Sequence, residues 1–171
     1  MTAFHIRTLQ ADDAERLLRF EQDNRDWFER HIAPRAAAFY SPDGVRAHVR
    51  SFLGAHAKGT LHPCLIVDED GAVIGRANLK DIDRHAGTAE VGYRIAASCT
   101  GQGVASAAVR HLVGLARTTW QLEQLLAYVG HRNAASARVL EKCRFTRHPF
   151  QSERTAFDGA ADAPYKFTLD L

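Results

Sequence analysis

The stretch Tyr93-Arg94-Ile95-Ala96-Ala97-Ser98-Cys99-Thr100-Gly101-Gln102-Gly103-Val104-Ala105 changes its periodicity part-way along. Upstream, Thr88 to Ile95 reads as a strand. Downstream, Ala105, Ala108, Val109, Leu112, Val113 and Ala116 recur at helical spacing, the cleanest amphipathic signal in the chain. Thr100 to Ala105 therefore supplies two glycines at the point where a helix begins. Glycine lets the backbone bend tightly and approach a ligand, and a helix start presents N–H groups at the positive end of its dipole. An anion such as a pyrophosphate suits that corner. Taken alone, the hexapeptide also fits, less well, a plain loop that happens to contain two glycines.

Two phosphate-binding motifs fit poorly. A Walker loop needs a Lys after its second glycine, and none follows here. A dinucleotide fingerprint accommodates Gly101 and Gly103 but meets Ser106 at its third glycine, and Glu123 lies near the start of the next strand where an acid at its end is wanted. The strand before the turn also belongs to an antiparallel series. Cys64 to Val67, Ala72 to about Ile82, and Thr88 to Ile95 form a meander, its first two members joined by the turn Asp68-Glu69-Asp70-Gly71 and the last two by a loop from Arg84 to Gly87.

Toward the N-terminus, Phe4, Ile6 and Thr8 alternate in a first strand, and Asp12 and Asp13 open a helix carrying Ala14, Leu17, Leu18 and Glu21 on successive turns. Glu21 to Tyr40 is less regular and dense in Arg and aromatic residues. Ser41-Pro42-Asp43 opens another helix, with Val45, Val49, Phe52 and Leu53 as its stripe. Toward the C-terminus, Leu125 to Val129 reads as a buried strand and Asn133 to Lys142 as a helix with Val139, Leu140 and Cys143 facing in. Two closing strands follow, from Phe145 and from Tyr165 to Leu171. The expected order is β-α-α-β-β-β-α-β-α-β-β: an α/β (α+β) domain over residues 1–171, with a mixed, mostly antiparallel central sheet of about seven strands flanked by helices.

Bulk properties narrow the class. The 171 residues are 46% hydrophobic and 25% charged, an ordinary globular composition. A net charge of +2 gives no reason to expect direct nucleic-acid binding. Cys64, Cys99 and Cys143 are widely spaced and odd in number, which argues against a disulfide framework or a zinc site and suits a reducing compartment. No run has the apolar length of a membrane span, and Met1 to Gln10 carries charge too early for a secretory signal, so a cytoplasmic protein with no membrane partner is expected.

The combination of Glu90-Val91-Gly92-Tyr93-Arg94-Ile95, the turn Thr100 to Ala105, the long helix and Asn133-Ala134-Ala135-Ser136 running to Phe145 resembles the acetyl-CoA site of the GNAT acetyltransferases. The N-x-x-S context of Ser136, the E-x-G-Y strand and Asn24-Arg25-Asp26-Trp27-Phe28 are similar to the RimJ/RimL type, which acetylates the N-termini of ribosomal proteins. Two positions depart from the family pattern: Thr100 replaces a Gln or Arg, and Leu140 stands where many members carry the Tyr that protonates the leaving thiolate.

The resemblance implies acetyl-CoA as cosubstrate and no metal. Backbone groups of Arg94, Ile95 and Ala96 would bond the pantetheine arm. Thr100 and Gly101 would form the corner of the turn, and amides from Gln102 through Gly103, Val104 and Ala105 to Ser106 would hold the pyrophosphate. Asn133 would bond the pantetheine end, with Ser136 near the sulfur. Glu90 is the expected base, acting through water, or else a paired carboxylate within the sheet. Ser136 lies on an apolar stripe, where it serves either the sulfur or close packing. Cys99 is expected to be structural; His131 touches either substrate or solvent. Glu153 is a candidate for the acceptor side, and the cluster of Arg25, Arg30, Arg35, Trp27, Phe28, Phe39 and Tyr40 is either a solvated, amphipathic helix pair or a wall of the acceptor cleft.

The implied reaction is direct attack of a primary amine on the thioester, the acceptor being a protein or peptide N-terminal α-amine, such as that of a ribosomal protein. The alternatives are a small amine (antibiotic, polyamine, amino acid) and an acyl-CoA-binding module without turnover. Glu21 to Tyr40 and Phe150 to Pro164 would form the acceptor wall. The chain would act as a monomer or homodimer.

Overall fold

A computed structural model describes residues 3–149 and 164–171. The expected acceptor-wall residue Glu153, with residues 150–163, lies outside the described residues. The strands are β1 (Phe4–Thr8), β2 (His62–Asp68), β3 (Val73–Asp83), β4 (Thr88–Ile95), β5 (Gln124–Val129), β6 (Thr146–Arg147) and β7 (Tyr165–Asp170). They form one 7-stranded sheet in the order β1-β2-β3-β4-β5-β7-β6. Every neighbouring pair is antiparallel except β4–β5, which is parallel. The helices are α1 (Ala14–Asp23), α2 (Arg25–Glu29), α3 (Pro42–Ala57), α4 (Val104–Thr118) and α5 (Ala134–Lys142). The expected mixed sheet and element order are present. One short helix, α2, is added within the segment that lacks a clear period, and among the described residues the strand expected from Phe145 is the pair Thr146–Arg147.

Local chemistry sets the helix starts. The Ser41 hydroxyl accepts the Gly44 amide at 3.1 Å and Pro42 occupies the first turn of α3, so a cap and a preset φ act together. The buried Asp13 carboxylate accepts both guanidinium nitrogens of Arg7, at 2.6 and 2.7 Å, and the Gln10 amide at 2.8 Å, which ties the entry to α1 onto β1. The α4 stripe behaves as its spacing requires. Ala108, Val109, Leu112 and Ala116 are fully buried, and each large apolar side chain among them contributes about 1.5–3 kcal/mol.

Adjacent residues of a strand point to opposite faces, which locates the helices. Arg94 of β4 bonds Glu21 of α1, whereas Tyr93 bonds Ser136 of α5. Helices α1 and α5 therefore cover opposite faces of the sheet. With α1 goes α3, packed against it and against β2; with α5 goes α4, packed on β3 and β4.

The parallel pairing of β4 with β5 runs from Thr88 opposite Gln124 to Glu90 opposite Leu126 and goes no further. Beyond it β5 stays paired with β7 as far as Val129, and β4 stays paired with β3 as far as Ile95. The sheet is thus split along the distal halves of β4 and β5, and the site lies in that split.

Candidate active site

At the head of α4, Gly101 and Gly103 hold φ angles of +74° and +83°, left-handed backbone that a side chain disfavours. A Cβ added at either would meet nothing within 4 Å, so angle rather than crowding demands glycine, and the turn faces open space. Thr100 bonds the Ala97 carbonyl through its hydroxyl at 2.9 Å, and the Gln102 amide donates to the Ser98 carbonyl at 2.8 Å. Both side chains fold back over the preceding turn. The Ala107 amide is the first to close a helical turn, on the Gly103 carbonyl at 3.0 Å. The amides of Val104, Ala105 and Ser106 have no carbonyl one turn earlier in the helix to accept them.

A cavity of about 590 Å³ spreads from this turn to α5. Of the expected binding residues, Arg94, Ile95, Thr100, Gly101, Gly103, Val104, Ala105, Ser106, Asn133 and Ser136 line it. Ala96 and Gln102 do not: Ala96 is turned into the sheet, and Gln102 back onto Ser98.

The ladder of β3 and β4 corrects the expected backbone donors. The Ala96 amide is bonded to the Ile74 carbonyl at 2.9 Å. Arg94, opposite Arg76 and two residues back, has the same parity, so its backbone groups also turn toward β3. The groups of Tyr93 and Ile95 point the other way, into the split. The Ile95 carbonyl is taken by the Trp27 indole N–H at 3.2 Å, and the Asn24 side chain accepts the Ala97 amide at 2.9 Å. The Asn24 to Phe28 segment therefore clamps the end of β4 as well as walling the cavity with Trp27 and Phe28.

A second cavity of about 280 Å³ opens on the α1 face. Glu90 lines it, buried, with an oxygen 2.6 Å from the Lys80 ammonium directly across the ladder. His31, Ile32, Tyr93, Arg94, Asn133 and Ser136 line both cavities, so the two meet through the split sheet. At that junction the Tyr93 phenol lies 2.7 Å from the Ser136 hydroxyl, while Asn133 caps α5 by accepting the Ser136 amide at 3.1 Å. Burial pushes the Tyr93 phenol up to about 12 against the opposing effect of its bond to Ser136, so it holds its proton at neutral pH. Leu140 is fully buried and brings no acid to the junction.

Behind the second cavity, fully buried Glu21 bonds Arg76 at 2.6 Å and Arg94 at 3.2 Å. Burial, then the nearby Arg35 charge, lowers Arg94 to about 10, still well above neutral pH. Arg76 also meets His48 Nε2 at 2.8 Å; a guanidinium only donates, so that nitrogen is the unprotonated acceptor. Consistently, burial and then Arg76 depress His48 to about 3.

Other candidates fall outside the junction. Cys99 is buried in the first cavity's wall, and His131 stacks on Tyr165 at 4.2 Å without lining either cavity. Sequence reasoning missed the Tyr93 phenol, read only as part of a strand motif. It also missed Arg132, Arg138 and Lys142, which flank the first cavity. The spacing of Arg138 and Lys142 on one helix face was a legible signal, but a solvated face gives the same pattern. Among the described residues no group of three or more His, Cys, Asp or Glu is arranged to hold a metal, and no helix is long and apolar enough to cross a membrane.

Residues 4–146 match the acetyltransferase (GNAT) domain family. The chain belongs to the GNAT acetyltransferases. It is 31% identical over 157 residues to the probable N-acetyltransferase YjcK of Bacillus subtilis (strain 168), covering 91% of this chain and 87% of that protein. The solved ribosomal-protein-S5-alanine acetyltransferase from Vibrio fischeri is similar in fold, with a TM-score of 0.91 at 20% identity over 99% of this chain and 94% of the other. The ribosomal L7/L12 alpha-N-protein acetyltransferase RimL, in complex with coenzyme A, gives 0.87 at 18% identity over 100% and 96%.

As a GNAT N-acetyltransferase the chain uses acetyl-CoA, and its own residues fit that donor. The open glycine turn could offer amides to a pyrophosphate, Arg132, Arg138 and Lys142 could offer charge to phosphates, and the split edge of β4 could offer the Tyr93 backbone groups and the Ile95 amide to an extended amide-bearing arm. The two departures from the GNAT pattern are also accounted for locally. Thr100 spends its hydroxyl on the turn, and Leu140 fills the core.

Proposed function

We propose that this GNAT enzyme passes the acetyl group directly from acetyl-CoA to the N-terminal α-amine of a protein or peptide, with a ribosomal protein as the leading acceptor class. The observation that carries this reading is the meeting of two cavities at Tyr93, Asn133 and Ser136. A thioester held on the α4–α5 face presents its carbonyl to an amine arriving from the α1 face, without an acyl-enzyme. Amides of Gly103 to Ser106 hold the pyrophosphate, Asn133 orients the far end of the arm, and Ser136 stands at the sulfur. Glu90, on the acceptor side, takes the amine's proton through water. The likeness in fold to acetyltransferases named for ribosomal-protein substrates supports the acceptor class.

The small second cavity, about 280 Å³, also suits a compact amine. Thiol release from acetyl-CoA, measured with N-terminal peptides of ribosomal proteins beside a panel of polyamines, amino acids and aminoglycosides, separates the two acceptors. A preference for peptides of at least tenfold in kcat/KM is expected. Turnover with small amines alone would overturn the peptide reading.

A further inference from the structure

With buried Leu140 on α5 bringing no acid to the departing thiolate, the junction holds, among the described residues, one pair of hydroxyls. We propose that Tyr93 and Ser136 form a proton relay for the leaving thiolate, with Ser136 at the sulfur and Tyr93 behind it as the positioning residue. This rests on the acetyl transfer proposed above.

The geometry supports a relay on three grounds. The oxygens of the two side chains lie 2.7 Å apart, a short hydrogen bond, although the residues are 43 positions apart in sequence. Both line both cavities, so the pair spans the point where thioester and acceptor meet. Ser136 is also fixed in place: its amide is bonded to Asn133 in the first turn of α5, and the longer contact of 3.3 Å from the Tyr93 phenol to the Ser136 carbonyl holds the ring against that turn. A serine hydroxyl alone is too weak an acid to protonate a thiolate. A phenol behind it changes the balance, because the proton finally given up is the phenol's. With its pKa near 12, Tyr93 enters each cycle protonated and serves as a donor, not a base.

The carbon–sulfur bond of the collapsing adduct breaks and its electron pair goes to sulfur. Sulfur takes the Ser136 Oγ proton, and Ser136 Oγ takes the Tyr93 Oη proton. The resulting phenolate recovers, through water in the second cavity, the proton that Glu90 took from the attacking amine, so Glu90 returns to its carboxylate. Nothing is oxidised or reduced, and both hydroxyls return to their starting state.

Tyr93→Phe keeps the ring and its packing while removing only the hydroxyl; Ser136→Ala removes the other oxygen. Both single variants and the double variant are assayed at saturating acetyl-CoA with the best acceptor of the panel, and acetyl-CoA affinity is measured by calorimetry. Each single variant should lose about 10²-fold in kcat with affinity unchanged within about twofold. The double variant should be no slower than the slower single, because the two act as one unit. The residual rate of Tyr93→Phe should rise toward low pH, where solvent acid replaces the phenol, relative to the wild-type profile. A Tyr93→Phe kcat within threefold of wild type overturns the relay. So does a profile parallel to wild type, or a matching loss of acetyl-CoA affinity, which mark a structural tie between β4 and α5. Wild-type protein that binds acetyl-CoA but acetylates no amine would instead overturn the proposed transfer, and the relay with it.

Discussion

Replacing Glu21 with Gln tests the charge network behind the second cavity. The side chain is fully buried and its two oxygens serve different partners: Arg76, itself 4% exposed, at 2.6 Å, and Arg94, 23% exposed, at 3.2 Å. Neutralising Glu21 leaves the Arg76 guanidinium with neutral His48 as its remaining polar partner among the contacts described, and with the Phe52 ring 5.2 Å away. Stranding one member of a buried pair costs about 3–5 kcal/mol, whereas the part-exposed Arg94 limb adds less than about 1 kcal/mol. Gln keeps one acceptor oxygen, so the lower end applies, about 3 kcal/mol. For a chain of this size that is a fall of roughly 6–12 °C in Tm.

Urea unfolding of Glu21→Gln beside wild type measures the loss directly. Because the pair is buried, raising the salt concentration should leave most of the difference in place. Adding Arg76→Met should recover part of the lost stability, since both charges are then gone. A loss below about 1 kcal/mol, or one abolished by salt, would refute the reasoning and mean that water reaches Arg76 as readily as Glu21 does.

Other positions give contrasting outcomes. A Cβ at Gly44 would run into the Ala38 carbonyl oxygen and lie 2.8 Å from that of Phe39, both backbone atoms, so Gly44→Ala should cost about 3 kcal/mol in denaturant unfolding through overpacking. Gly103→Ala meets no neighbour and carries only left-handed strain, about 1–2 kcal/mol; its larger effect should be a loss of roughly tenfold or more in acetyl-CoA affinity by calorimetry, since the methyl enters the turn. Burial lowers His62 to about 4, and its Nδ1 accepts the Trp120 indole at 2.9 Å. Between pH 6.5 and 4 the unfolded chain binds a proton there that the folded chain does not, so stability should fall with falling pH across that window, by at most about 3 kcal/mol, and be flat above it. His62→Gln should reduce that slope in urea titrations at stepped pH, leaving the part that His48, held at about 3, contributes over the same window.

Much of the fold was legible because its signals act within a turn or two. Ser41-Pro42-Asp43 and Asn133 cap helices through contacts only three residues away, and the α4 stripe shows its own period. The segment from Glu21 to Tyr40 was not legible in the same way. Its helix α2 is held by tertiary contacts of Asn24 and Trp27 with the end of β4, more than sixty residues on. Glu21 on an apolar stripe was visible in the sequence as a charge among buried positions; the two arginines that make it tolerable were not.

The sequence by itself determined that a strand, a glycine turn and a long helix follow one another between Tyr93 and Arg117, and that Asn133 and Ser136 open a second helix. Periodicity, caps and backbone preferences are local properties, so they survive translation into one dimension. Only the tertiary structure decided which backbone groups of β4 are available. Strand alternation assigns side chains to faces, but the register with β3 fixes whether Arg94 and Ala96 or Tyr93 and Ile95 point into the split. The split itself arises because pairing with β5 ends at Glu90. The meeting of the Tyr93 phenol with Ser136 follows from the packing of α5 on the opposite face from α1, a consequence of chain topology that no local pattern encodes.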